Sequence, residues 1–572
     1  MQIKGNQPQD WWKTSTVYQV YPKSFKDTTG RGTGDIRGVT EKLDYIKGLG
    51  IDIVWLQPVY VSPQNDNGYD VADYYNIDPA FGTMEDFDEL VRELKIRDMH
   101  LMIDIVVNHS STEHRWFKEA KSSRNNAYRD YYIWKDPAPD GGPPNNWQSK
   151  FGGSAWQYDE GTGQYFLTLF DKTQADLNWE NKKVRQEVVD ILTFWAEKGV
   201  SGFRMDVINL ISKDQRFPND DGSIPPGDGR RFYTDGPRVH EYVKELNEKV
   251  FRPYNLVTVG EMSSTTLEHC ICYSKPEENE FSMTFNFHHL KVDYPNGQKW
   301  ELKPYDFEEL KQLLSDWQIG MQQGGGWNAL FLNNHDQPRA LTRFTDDDEY
   351  RVESAKLLAT TLHGLQGTPY VYQGEEIGMP DPKWGDISEF RDIESRNMYE
   401  ILQQRGKTAE EAAHIVRVRS RDNSRLPMLW DDSEQAGFTT GTPWIKIDER
   451  YPTINARSQV EDPKSIYHHY RKLIELRKNL VVLTDGIYTR LDEQHPQVYA
   501  YTRKNKEQSL VVISNFSRNE VRFELPVKFA ATLSTASSKE LLLGNTEKAP
   551  ELAVSVKLPP FGSYMWLINT VN

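Results

Sequence analysis

The sequence predicts an α/β fold: a (β/α)8 barrel with an inserted subdomain after its third strand and an antiparallel β-sandwich at its C-terminal end. Three observations lead there. Eight short β-branched or aromatic runs alternate with amphipathic helical stretches. Several of those runs are continuously apolar, as strands covered on both faces of a parallel sheet must be. Beyond about Thr484 the texture changes to closely spaced alternating strands.

The eight runs are Thr16–Pro22, Ile51–Pro58, His100–His109, Gly199–Val207, Leu256–Met262, Phe281–Phe287, Asn328–Asp336 and Gly367–Glu376. MEDFDELVRELKIRD and VRQEVVDILTFWAEKG, between them, carry apolar residues at helical spacing. Ser110 to about Gln174 is too long and too polar for an ordinary βα loop, so it reads as an inserted subdomain. Residues 378 to about 463 form a second excursion with few regular signals. VYAYTRK, SLVVISNFS, VRFELPV and SYMWLIN supply the C-terminal sandwich. The expected division is barrel 1–109 and 175–483, subdomain 110–174 and sandwich 484–572.

A chain of 572 residues needs more than one core, and its net charge of −16 argues against nucleic acid or an anionic membrane as partner. The 16 Trp and 29 Tyr exceed what packing alone asks for and suit the apolar faces of sugar rings. Cys270 and Cys272 are too close in sequence to bridge and have no other partner, which points to free thiols in a reducing compartment. MQIKGNQPQDWWK has no apolar core for a signal peptide and no run approaches membrane-spanning length, so a cytoplasmic location is expected.

The chemistry lies at strand ends. GFRMDV, TVGEM and LNNHDQP each end an apolar run in an acid: Asp206, Glu261 and Asp336. Burying an unpaired carboxylate is costly unless it lines a cleft. Three such acids, with Arg204 and His335 beside them, suggest one pocket with convergent carboxylates. Glycoside cleavage needs that arrangement: two acids across the bond, and a third to stabilise developing positive charge.

In order, DIVVNH, GFRMDV, VGEM and NNHD resemble the four signature regions of the α-amylase superfamily, and QADLNWEN resembles its fifth region in the oligo-1,6-glucosidase branch. The resemblance covers essentially the whole chain. It implies Asp206 as nucleophile, Glu261 as general acid/base and Asp336 as transition-state stabiliser in a retaining, cofactor-free hydrolysis. Arg204 would hold Asp206 ionised, and His109 and His335 would reach sugar hydroxyls. Phe166 and Gln174 complete the expected glucose contacts. DNGYDVADY resembles the segment that closes one end of the glucose site, with Tyr69 stacking on the ring, Asp70 binding terminal hydroxyls and Arg421 joining from the late loop.

The chain departs from that branch at Ala175 of QADLN and at FHHLKVDYPNGQKW, where the branch carries acidic residues. Lys291, His288, His289 and Lys299, with Arg230 and Arg231 of GDGRRFYTDGPR, place cations at the rim of an acidic protein, a setting for a bound phosphate. With DTTGRGTGD, these features resemble the phosphotrehalase group, which cleaves the α,α-1,1 bond of trehalose 6-phosphate. The partner implied is therefore a phosphorylated disaccharide. Rival readings are oligo-1,6-glucosidase or sucrose isomerase action on unphosphorylated sugars. A catalytically inert transporter subunit of similar fold would need a membrane anchor and often lacks the acids.

KDTTGRGTGDIRG resembles a calcium loop, but Thr29 and Arg31 occupy positions that elsewhere supply oxygen ligands. Arg31 is expected to pair with Asp27 and Asp35 in place of an ion, with no metal required.

Overall fold

The computed structural model describes residues 10–492, 495–534 and 536–570; the first nine residues of the stretch read for a leader lie outside them. All eight expected runs form strands: β1 (Val17–Val20), β2 (Ile53–Leu56), β3 (His100–Ile105), β4 (Gly202–Met205), β5 (Val257–Glu261), β6 (Met283–Phe285), β7 (Ala329–Leu330) and β8 (Thr368–Tyr372). They pair in parallel in the order β6-β5-β4-β3-β2-β1-β8-β7. A parallel bridge from Thr284 to Asn328 joins the two edges and closes the barrel. Every residue of β1, β2, β4, β5 and β8 is buried, which is why these runs read as unbroken apolar sequence.

Register fixes the site. Arg204 of β4 sits beside Asp104 of β3 and Val259 of β5, and Met205 pairs with Gly260. Asp206 therefore emerges next to Glu261. The helices outside are locked by side-chain caps: α1 (Met84–Ile96) by a Thr83–Asp86 capping box, α2 (Lys182–Glu197) by Asn181 and α3 (Phe307–Gly324) by Asp306. Gly325 ends α3 at φ +79°, a left-handed cap that glycine takes without strain.

Between 110 and 174 lie a helix (Arg115–Ser122) and a three-stranded antiparallel sheet of Trp134–Lys135, Gln164–Leu167 and Trp156–Asp159. The late excursion is more regular than its sequence suggested. After helix α4 (Arg351–His363) come α5 (Ile393–Gln404) and α6 (Ala409–Arg419), which share a small core of Met398, Leu402, Ala412 and Ile415. The start of α6 is a capping box between Thr408 and Glu411, a local signal present in the sequence.

The C-terminal region is a five-stranded antiparallel sheet covered by a two-stranded ribbon, Val521–Glu524 with Ser555–Leu558. Alternation divides its core. Leu510, Val512, Met565 and Leu567 join the barrel core, while Val511, Ile513, Trp566 and Ile568 join Phe523, Val556 and Leu558. Among the described residues, no helix is long and apolar enough to cross a membrane.

The first βα loop corrects one expectation. Arg31 is exposed and reaches the Pro79 carbonyl at 3.3 Å instead of the loop acids. Asp27 accepts from the backbone N–H groups of Thr29, Gly30 and Gly32 and from the Thr439 hydroxyl. Asp35 accepts from Thr28 and Gly38. Short local donors saturate both carboxylates, which a long flexible arginine would have to displace.

Candidate active site

Arg204 is the hub. Buried at the barrel mouth, it donates to Asp206 Oδ1 at 2.6 Å and Glu261 Oε2 at 2.6 Å, and bonds Asp104 through the same guanidinium. Its guanidinium lies 5.4 Å from the centre of the Trp55 ring and 5.7 Å from that of Tyr69. Three carboxylates share one cation, and burial dominates the balance. It pushes the Asp206 carboxyl up to about 7, with Arg204 opposing and Asp104 and Asp336 adding to the rise. Burial pushes Glu261 up to about 8, again opposed by Arg204, with Asp206 and Asp336 raising it further and a Val207 N–H bond at 3.1 Å lowering it. Asp104 rises to about 6 for the same first reason.

Asp336 behaves oppositely. Burial would raise it, but His335 at 3.1 Å, Arg421 at 3.4 Å and Arg425 at 2.7 Å hold it far below the usual carboxylate range. Its side chain is 27% exposed, whereas Asp206 and Glu261 are 9% exposed each. The cluster thus contains two acids poised near neutrality and one fixed anion, the electrostatic pattern that lets neighbouring carboxyls serve as acid and base.

Around it lies a closed polar wall. Arg421 bonds Asp66 at 2.9 Å and Asp392 at 2.6 Å, with the Phe151 ring beneath it at 4.8 Å. Gln174 Nε2 donates to Asp66 Oδ2 and the Tyr69 carbonyl, both at 3.1 Å. Tyr69 stacks on His335 at 5.2 Å and 9°. His109 and His335 are buried, which lowers the proton affinity of both rings.

Residues 19–486 match the alpha amylase catalytic domain family, and 498–564 match the alpha-amylase SusG C-terminal domain. The chain belongs to the alpha-amylase family. It is a glycoside hydrolase of that family. It is 56% identical to a trehalose-6-phosphate hydrolase of Bacillus subtilis, over 98% of each chain. An oligo-1,6-glucosidase of Parageobacillus thermoglucosidasius is 49% identical, over 98% of this chain and 99% of the other. The crystal structure of Bacillus licheniformis trehalose-6-phosphate hydrolase superimposes with a TM-score of 0.93 at 55% identity, covering 98% of this chain and all of that one.

Within this alpha-amylase site, several expected residues converge and others do not. Asp206, Glu261, Asp336, Arg204, Tyr69, His109, Gln174, His335 and Arg421 line one region. Asp70 does not face Arg421. Fully buried, it accepts from Asn65 N, Asp66 N and Ser62 Oγ at 2.9 to 3.1 Å. Asp66, four residues earlier, takes the guanidinium instead. Phe166 packs against Phe117 and Trp134 inside the inserted sheet; the aromatic beside His109 is Phe170, at 5.1 Å.

The rim cations divide. Lys291 is pushed down to about 8 by burial and by the Arg230 charge. Lys150, unremarked in the sequence, is pushed down to about 7 by burial, Arg230 and Lys291, and it also senses Glu261. Arg230 is held by Asp228 at 2.6 Å. The others are engaged elsewhere: Lys299 with Glu394 at 2.6 Å, and Arg231 with Asp220 at 3.1 Å and Asp221 at 2.6 Å. The His289 ring meets the Phe331 carbonyl at 2.9 Å, and His288 stacks on Trp317 at 4.5 Å. Asp104, Asp66, Asp392, Arg425 and Lys150 are the site residues that sequence reasoning passed over.

Proposed function

We propose that this chain is a retaining α-glucosidase that hydrolyses trehalose 6-phosphate to glucose and glucose 6-phosphate. Asp206, ionised beside Arg204, attacks the anomeric carbon while the Glu261 proton passes to the bridging oxygen, releasing glucose 6-phosphate. The Asp206 ester then yields to water that gives its proton to Glu261, and glucose leaves with both acids restored. Asp336 stays anionic throughout and offsets positive charge at the anomeric centre. The unmodified glucose lies against Asp66, Arg421 and Tyr69, and the wall they form favours a short sugar over a polymer.

The observation that carries the substrate is the cation group Lys150, Lys291 and Arg230 in a chain of net charge −16. Among the described residues Arg230 pairs with Asp228, and a phosphate dianion would offset the burial that chiefly depresses both lysines and the Arg230 charge that adds to it. We place the phosphorylated sugar there, against the subdomain proposed for 110–174. Relatives named trehalose-6-phosphate hydrolase at 52% and 56% identity support the reading.

Initial rates on trehalose 6-phosphate, trehalose and isomaltose at matched concentration test it. Trehalose 6-phosphate should be preferred by at least about tenfold, falling towards parity in Lys291→Ala. Preference for isomaltose would move the chain to oligo-1,6-glucosidase action, as its 49% identical relative is named.

A further inference from the structure

The ladder between β4 and β5 ends at Met205–Gly260, just short of Asp206 and Glu261. Beyond it, a side chain takes over. Asn209, fully buried, donates from Nδ2 to the Ser263 carbonyl at 2.9 Å and accepts at Oδ1 from the Ser263 N–H at 2.9 Å. The same Nδ2 reaches Asp235 Oδ1 at 3.0 Å, and Asp235 accepts in turn from the Tyr273 hydroxyl at 2.8 Å. The Asp235 N–H returns a bond to the Asn209 carbonyl at 2.9 Å. Two acceptors face Nδ2 and one donor faces Oδ1, so the amide has a single orientation.

We propose that Asn209 is a positioning residue for hydrolysis, its carboxamide serving as an extra rung that clamps the turn after Asp206 to the segment after Glu261. The turn needs such a clamp. Val207 adopts φ 36° and ψ 38°, left-handed backbone that a β-branched residue resists by about 1–2 kcal/mol. In that conformation its N–H meets Glu261 Oε2 at 3.1 Å. Released, the turn can relax, and both the placement of Asp206 and the Glu261 contact go with it. Gly236 fits the same geometry, since a Cβ there would meet the Ser212 carbonyl at 1.9 Å, so the loop bearing Asp235 can press close under the turn.

The inference rests on the assignment of Asp206 and Glu261 as nucleophile and acid, and Asp206→Asn is assayed in parallel to separate the two. Asn209→Ala removes the clamp. Asn209→Asp keeps its size and acceptor but loses both donations, and it decides the matter if the alanine variant does not fold. With a nitrophenyl α-glucoside, kcat should fall at least about thirtyfold while KM stays within about threefold. The basic limb of the pH profile should move upward, because the Val207 N–H no longer favours the Glu261 carboxylate. A folded variant whose kcat falls less than thirtyfold, or whose pH profile is unmoved, overturns the proposal. Near-normal activity in Asp206→Asn would instead overturn the assignment beneath it.

Discussion

Asp66 and Arg421, 355 residues apart in the chain, meet at 2.9 Å and close one end of the site. The pair is buried, and burial pushes the Asp66 carboxyl up to about 6, against the pull of Arg421 and Arg425. Removing Asp66 leaves the guanidinium facing Asp392, Asp336 and Glu394 with one of its anions gone. Asp66→Ala is expected to lower kcat/KM for a nitrophenyl α-glucoside about 100-fold. Asp70→Asn should act on stability, costing about 1–3 kcal/mol, because the amide keeps one oxygen for Ser62 Oγ and the Asp66 N–H but turns a donor against the Asn65 N–H. Thermal denaturation and steady-state rates on both variants decide between the two acids; a larger rate loss in Asp70→Asn, with its fold intact, would reverse the assignment.

The pH profile follows from the shared guanidinium. Hydrolysis needs Asp206 ionised and Glu261 protonated, and their carboxyls lie at about 7 and about 8. The kcat/KM profile should be bell-shaped, its acid limb near 7 and its basic limb near 8, as values of the coupled pair. A profile flat from pH 5 to pH 9 would remove Arg204 as the group that balances the two acids.

Strand ends were legible because strands are local: an apolar run of fixed period delivers its end to a known edge, so Glu261 closes β5, Asp206 directly follows β4, and Asp336 comes in the segment after β7. What the sequence hid was choice within a loop. Asp66 and Asp70 sit four residues apart in one turn, and only tertiary hydrogen bonding decides which meets Arg421. Phe166 and Phe170 differ by the same spacing, and one lies inside the inserted sheet. Lys150 comes from that insertion, whose irregular backbone carries no periodicity to aim it. Arg31 was misread because charge alone suggested a partner, while the backbone N–H groups of the loop were already closer.

The site is held at a cost in stability. Asp206 and Glu261 have folded-state values well above those of an unfolded chain, so the native state binds more protons, and stability falls as pH rises between about 4 and about 8. Neutralising one acid should remove part of that loss. Glu261→Gln is expected to gain about 1–3 kcal/mol at pH 8 and little at pH 4. Thermal unfolding at the two pH values checks the sign; equal shifts at both would mean the gain is not electrostatic.

The first βα loop gives a prediction of a different kind. Asp27 and Asp35 each accept from several N–H and hydroxyl donors, which a divalent cation would have to displace. Dialysis against a chelator should leave the melting temperature and kcat unchanged. A drop restored by added calcium would show that those donors yield to an ion.

The lysines at the rim make substrate choice pH-dependent. Lys150 and Lys291 lie at about 7 and about 8, lowered by burial and by neighbouring positive charge. Above those values they lose charge and with it their attraction for phosphate, which is already a dianion above about 6. The KM for trehalose 6-phosphate should therefore rise about tenfold between pH 6.5 and pH 9, while the KM for a neutral nitrophenyl α-glucoside stays within about twofold. Lys150→Arg keeps a cation that does not titrate there and should shrink the rise for the phosphorylated substrate to the part that Lys291 carries. Parallel profiles for the two substrates in the parent enzyme would remove Lys150 and Lys291 from phosphate recognition, whatever the fate of the acids that cut the bond.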